Sequence, residues 1–242
     1  MFLTAAALCC SGVVLAMPLD HVVFDQCMTE PARSRQVDTM DRKNVQDLLK
    51  RFGQAPVPAT YHSMLARLVK ADPLLTGQKI RLVAYKASFL NAHEADHGVI
   101  VISAGAWGKA TRLAEDEVAA MLAHELAHLE RRDSKRMACE SLAYVGNTEL
   151  TLPSAIRETT RESFSGESDL SLTLAALNQA REKAADARGA QILRLAGYDP
   201  RAMTRMLRKL APAGVFSSTT HPAIDARIRH VLESINRGGN SH

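Results

Sequence analysis

The chain has 242 residues, 46% of them hydrophobic and 23% charged, with a formal net charge of +4. That is enough for one sizeable core, in the composition of an ordinary globular protein. Aromatic residues make up 5% and the arginines are spread over several stretches, which argues against a basic, aromatic-bearing nucleic-acid surface and against a nucleic-acid partner.

Residues 1–16 carry no charged side chain and end in Val14-Leu15-Ala16. The run is short for a bilayer span and reads as a signal peptide, which implies export to the periplasm. No later stretch is apolar enough to cross a membrane, so the mature chain is expected to be soluble or peripheral to one. Cys27 and Cys139 remain after such a leader. They either pair, as an oxidising compartment permits, or stay as separate thiols. No Cys-x-x-Cys spacing is present, which speaks against a thiolate metal site.

Residues 17–40 are polar and mixed, and are expected to be a lead-in with little structure before a domain spanning 41–236 and a flexible tail at 237–242. From Asp41 to Phe52 the apolar positions Val45, Leu48, Leu49 and Phe52 predict a helix stopped by Gly53. A second helix carries Met64, Leu65, Leu68 and Val69 and ends before Pro73. Lys79–Tyr85 and Gly98–Ser103 read as strands. The polar connection Asn91–His97 reads as a solvated hairpin loop.

The next helix begins at Thr111 or Ala114, with Glu115, Asp116 and Glu117 suited to its N-terminus. It contains His124-Glu125-Leu126-Ala127-His128. On a helix His124 and His128 stand one turn apart on one face, where two imidazoles can hold a single divalent ion, most often zinc. Glu125 is turned about 100° from His124, so it borders the metal and can take a proton from a metal-bound water. Arg131, Arg132, Lys135 and Arg136 read as a solvated, dipole-compensating face.

Residues 146–171 lack periodicity and read as a long mobile segment. Helical pattern returns from Leu174 to Leu195 and ends at Gly197. Asp199-Pro200 opens a basic helix to Leu210, and a last helix follows His221-Pro222 to about Ile235. The order of elements predicts an α+β fold, mostly helical with a small sheet.

A third ligand is expected from a separate helix, and Glu182 is the candidate. Asp186 lies one turn on, placed to receive the far nitrogen of a ligating histidine. Two histidines and a carboxylate leave one coordination position open, as in catalytic rather than structural zinc sites.

With these pieces in place, the sequence resembles the HtpX/OMA/CAAX-prenyl-protease type of zinc metallopeptidases, in particular soluble periplasmic members with a signal peptide. The resemblance covers about residues 75–235. It rests on Asn91-Ala92 with Gly98–Ile102, Leu122–His128, Glu182–Asp186, Gly197-Tyr198-Asp199-Pro200, and Thr220-His221-Pro222 with Arg227-Ile228.

It implies a zincin-like (gluzincin-type) domain with one zinc per chain. His124, His128 and Glu182 would be its ligands, Glu125 the general base, and Asp186 a support behind them. It further implies that His221 approaches the metal and either gates the site or steadies the oxyanion, and that the Val99, Ile100, Val101, Ile102 strand is the edge that pairs with an extended peptide. Arg227 is expected behind the ligands with Asp186, or at the oxyanion if it reaches. The expected activity is hydrolysis of peptide bonds in unfolded or extended segments of exported or envelope proteins. The rival expectations are a zinc-binding periplasmic chaperone or assembly factor, and a peripheral membrane protein using Arg201, Arg205, Arg208 and Lys209.

Overall fold

A computed structural model describes residues 19–108, 113–163, 169–210 and 224–239. The expected signal peptide, Thr111, His221 and residues 240–242 lie outside them.

The segment expected to be an unstructured lead-in is helical. Asp20 caps helix α1, His21–Thr29, its Oδ1 accepting from the backbone N–H groups of Val22 and Val23 at 3.0 and 3.1 Å. One extended residue later, Pro31 starts α2, Pro31–Phe52, a helix that runs without a break through position 41. Each helix buries few residues: Val23 and Cys27 on α1, Val37 and Val45 on α2. From Asp41 onward α2 is the helix expected; its first half carries few apolar residues and α1 is only nine residues long, so periodicity did not reveal those parts. Tertiary contacts hold them instead.

Cys27 forms a disulfide with Cys139 on α5, Asp133–Val145, across 112 residues of chain. Closing a loop of that length stabilises the fold by up to about 5 kcal/mol in the chain-entropy account. One turn before Cys139, the buried Lys135 donates to Met28 O at 2.8 Å and to Ser34 Oγ at 2.7 Å. Lys135 was expected on a solvated face; it lies instead against the carbonyl end of α1, where a cation is favoured.

Gly53, at φ +76°, ends α2 and turns the chain into the short strand β1, Gln54–Ala55. Helix α3 follows at Ala59–Ala71. The strands β2, Arg81–Tyr85, β3, Ala92–Ala95, and β4, Val99–Ser103, complete a sheet in the order β1-β2-β4-β3. The pair β2 and β4 is parallel, and β4 pairs antiparallel with β3.

Two expectations are corrected here. The 91–97 connection is no hairpin loop between β2 and β4, because it carries β3. The Val99, Ile100, Val101, Ile102 strand is no edge either, since it is hydrogen-bonded on both sides and β3 is the edge beside it. The run of four β-branched residues already reflects burial on both faces. Ile100 and Ile102 join the main core with α3 and the metal helix, whereas Val99 and Val101 pack with Val45 of α2.

Helix α4, Glu115–Arg131, is buried along most of its length. Its exposed start is secured by Glu117, whose Oε2 accepts from the Ala114 N–H at 2.7 Å. The 146–171 stretch, expected to be mobile, contains α6, Leu152–Ser163, whose Leu152 and Ala155 complete the second apolar cluster around the disulfide. Helix α7, Asp169–Leu195, crosses α4, and α8, Ala202–Leu210, and α9, Ile224–Gly239, close the bundle. The first residues of the expected tail, Arg237 to Gly239, continue α9.

The result is a mostly helical α+β domain with a small mixed sheet, the class expected. Among the described residues no helix is long and apolar enough to cross a membrane. Two of the four cations of the basic helix are engaged within the fold: Arg205 with Asp116 and with Asp199 at 2.6 Å, and Lys209 with Glu117 at 2.5 Å.

Candidate metal centre

On α4 the rings of His124 and His128 stand nearly perpendicular, with centroids 4.6 Å apart and Nε2 atoms 3.1 Å apart. Glu182 on α7 reaches the same point, its Oε2 3.7 Å from His124 Nε2 and its Oε1 3.6 Å from His128 Nε2. One donor atom from each of the three lies within 4.8 Å of the other two.

Helix α7 comes this close because its facing positions are small or functional. Glu182, Asp186 and Gly189 follow at i, i+4 and i+7 along one stripe. A Cβ at Gly189 would sit 3.1 Å from the backbone N of His124 and 2.6 Å from Met203 Cε. The glycine therefore marks where the two helices touch. Arg188, next to it, donates to Glu130 at 2.8 Å and to Asp72 at 2.5 Å, fixing α7 on α4 and on the end of α3.

Each imidazole has a carboxylate behind it. Asp186 Oδ1 lies 3.0 Å from His124 Nδ1, and Asp133 Oδ2 lies 2.8 Å from His128 Nδ1. Asp186 is fully buried and is received by Arg227 of α9, which donates through Nε at 2.6 Å and Nη2 at 2.8 Å. The third guanidinium nitrogen stands 2.9 Å from Glu182 Oε2. Arg227 thus sets both the third candidate ligand and the carboxylate behind the first histidine. Arg227 is 1% exposed and is committed to those two carboxylates.

Asp133 was not anticipated. It follows Arg132, whose φ of +56° turns the chain sharply between α4 and α5 and brings Asp133 back against His128. No periodic rule places a residue beyond such a turn. Gly189 had a signal that went unused: a glycine inside a helical pattern commonly marks a close approach.

The electrostatics favour a cation here. Burial by itself lowers the His124 pKa, but Asp186, with Glu182 and Glu125 behind it, reverses this and raises it to about 9. Burial raises the Asp186 carboxyl, and the bonds from Arg227 and His124 hold it below its ordinary value instead. A carboxylate at each Nδ1 favours the tautomer whose lone pair is on Nε2. Two such lone pairs facing each other are what a metal ligand pair requires. Two bonds of 2.0–2.1 Å at a tetrahedral angle set nitrogens about 3.3 Å apart, close to the separation seen. The donor set of two imidazoles and one carboxylate fits zinc, and Glu125 lines the same cleft beside it.

Fold and site together define a zincin-like peptidase domain. The chain belongs to peptidase family M48, whose model it matches over residues 59–235. It is 32% identical over 136 residues to the beta-barrel assembly-enhancing protease of Yersinia pestis, a match covering 51% of this chain and 28% of that protein. The chain therefore aligns with less than a third of that relative. Helix α1 and all of α2 precede the residues that match the family.

Proposed function

We propose that this chain is a zinc-dependent endopeptidase that cleaves extended protein segments. The observation that carries the reading is the convergence of His124, His128 and Glu182 on one point, with Glu125 opening on the same cleft of about 550 Å³. Zinc held by those three residues would polarise a scissile carbonyl and lower the pKa of a bound water from 15.7 toward ~7. Glu125 would accept a proton from the attacking water and pass it to the departing amine. Asp186 and Asp133 keep the two imidazoles in the ligating tautomer, and Arg227 holds Glu182 in place.

The substrate lies along β3, the edge strand of the sheet among the described residues and beside the cleft, where backbone hydrogen bonds accept an extended chain irrespective of its side chains. His221 remains part of the proposal as an oxyanion partner, although it falls outside the described residues. Exported or envelope proteins are the proposed substrates. The Cys27–Cys139 disulfide supports an oxidising compartment such as the periplasm, and the relative's name ties it to β-barrel assembly. The test is digestion of casein by the purified chain, with and without a chelator. Cleavage that the chelator stops and zinc restores is expected; intact casein at every zinc concentration would overturn the reading.

A further inference from the structure

The cleft has a polar wall that the hydrolytic chemistry does not use. It is built by Asp41 and Asn44 of α2 and by His93 and Glu94 of β3. Glu94 Oε1 accepts from Ser134 Oγ at 2.9 Å, while its Oε2, shielded from solvent, has no hydrogen-bond partner among the described residues. Asp41 Oδ2 accepts the backbone N–H of Asp96 at 2.8 Å. Asp96 stands behind the wall, bonded to the Lys135 N–H at 3.1 Å, with its side chain fully buried and its Oδ1 also unpartnered. The nearest cation, Arg132, approaches Asp96 at 3.8 Å. Among the described residues neither Glu94 nor Asp41 has an ion-pair partner.

Three carboxylates crowded in this way resist joint ionisation. Burial pushes Glu94 well above the ordinary carboxyl range, and Asp96, Asp41 and Glu125 add to the push. Burial likewise raises Asp41. A buried oxygen with no donor is costly, and at the edge of a cleft an entering donor can relieve that cost. In an extended peptide paired with β3, every second side chain points to the face that Glu94 occupies.

We propose that Glu94 and Asp41 form a specificity subsite for a lysine or arginine side chain of the bound peptide, Glu94 turning its shielded Oε2 out to the cleft it lines to bond the incoming cation. The inference rests on the peptide-cleaving reading of the same cleft. Asp41 lies in α2, ahead of the residues that match the family.

The experiment measures binding of short fluorescent peptides to zinc-loaded Glu125→Gln protein, with Lys, norleucine or Glu placed in turn at each peptide position. At one position Lys should bind about tenfold tighter than norleucine, and Glu more weakly still. In Glu94→Gln and in Asp41→Asn, which keep the bonds to Ser134 and Asp96, the Lys-to-norleucine ratio should fall toward one. Either variant suffices should the other fail to fold. Absence of a Lys preference at every position, or a preference unmoved by both substitutions, would overturn the subsite. Cleavage of the same peptides by the unsubstituted chain is followed in parallel. Peptides bound with the preference but never cut would retire the peptidase reading and leave the subsite standing; peptides cut without any preference would do the reverse.

Discussion

His124 and His128 turn their Nε2 atoms toward one another at 3.1 Å while each ring backs its Nδ1 onto a carboxylate. In the metal-free chain a proton must separate those two nitrogens; in a loaded chain a metal would do so. The His124 value of about 9 against 6.5 sets the pH dependence. A value raised on folding stabilises the metal-free protein fully below pH 6.5, and that contribution is gone once pH passes about 9. Metal competes with the proton and binds more tightly as pH rises. Calorimetry of chelated and zinc-loaded protein across this range should therefore show the gap in Tm widening with pH. A gap that stays constant would remove the proton from the site.

Glu125→Gln keeps the size and burial of the side chain but not its basicity. Cleavage should fall by at least about 100-fold, the usual contribution of a general base, while elemental analysis still finds one zinc per chain. Retained cleavage would assign the proton transfer elsewhere.

Asp186→Asn removes the charge that His124 and Arg227 share. Metal affinity should drop by about 10–100-fold, as for other residues that orient a ligand. Stability should also fall, by only about 1.5–3 kcal/mol, because Arg227, 1% exposed, would keep Glu182 as its remaining counter-charge. Titration against a chromophoric chelator and urea unfolding measure the two effects separately. No change in either would mean that the buried pair is ornamental.

Gly189→Ala distinguishes local propensity from packing by its sign. Alanine in a helix interior is worth about 0.8–1 kcal/mol over glycine. Here its Cβ would press on the His124 backbone at 3.1 Å and on Met203 Cε at 2.6 Å. Methionine can move, but the helix α4 backbone yields less easily, so net destabilisation of about 1–3 kcal/mol and weaker zinc retention are expected. A more stable variant in thermal unfolding would show that the helices are not in hard contact there.

What the sequence determined by itself was whatever depends on local spacing. His124, Glu125 and His128 share a helix turn, so four residues of text place two imidazoles on one face. Glu182 and Asp186 stand one turn apart for the same reason, and the mostly helical α+β class follows from the order of periodic segments. The tertiary structure alone decided what depends on contacts between distant residues. Asp133 reaches His128 through the left-handed turn at Arg132, and Arg227 comes from α9 to brace Glu182 and Asp186. Helix α1 and the first half of α2 are held in place by Cys139 and Lys135. The strand pairing that puts β3 on the edge and Val99–Ile102 inside was equally hidden, because a run of β-branched residues reports burial but not its neighbours.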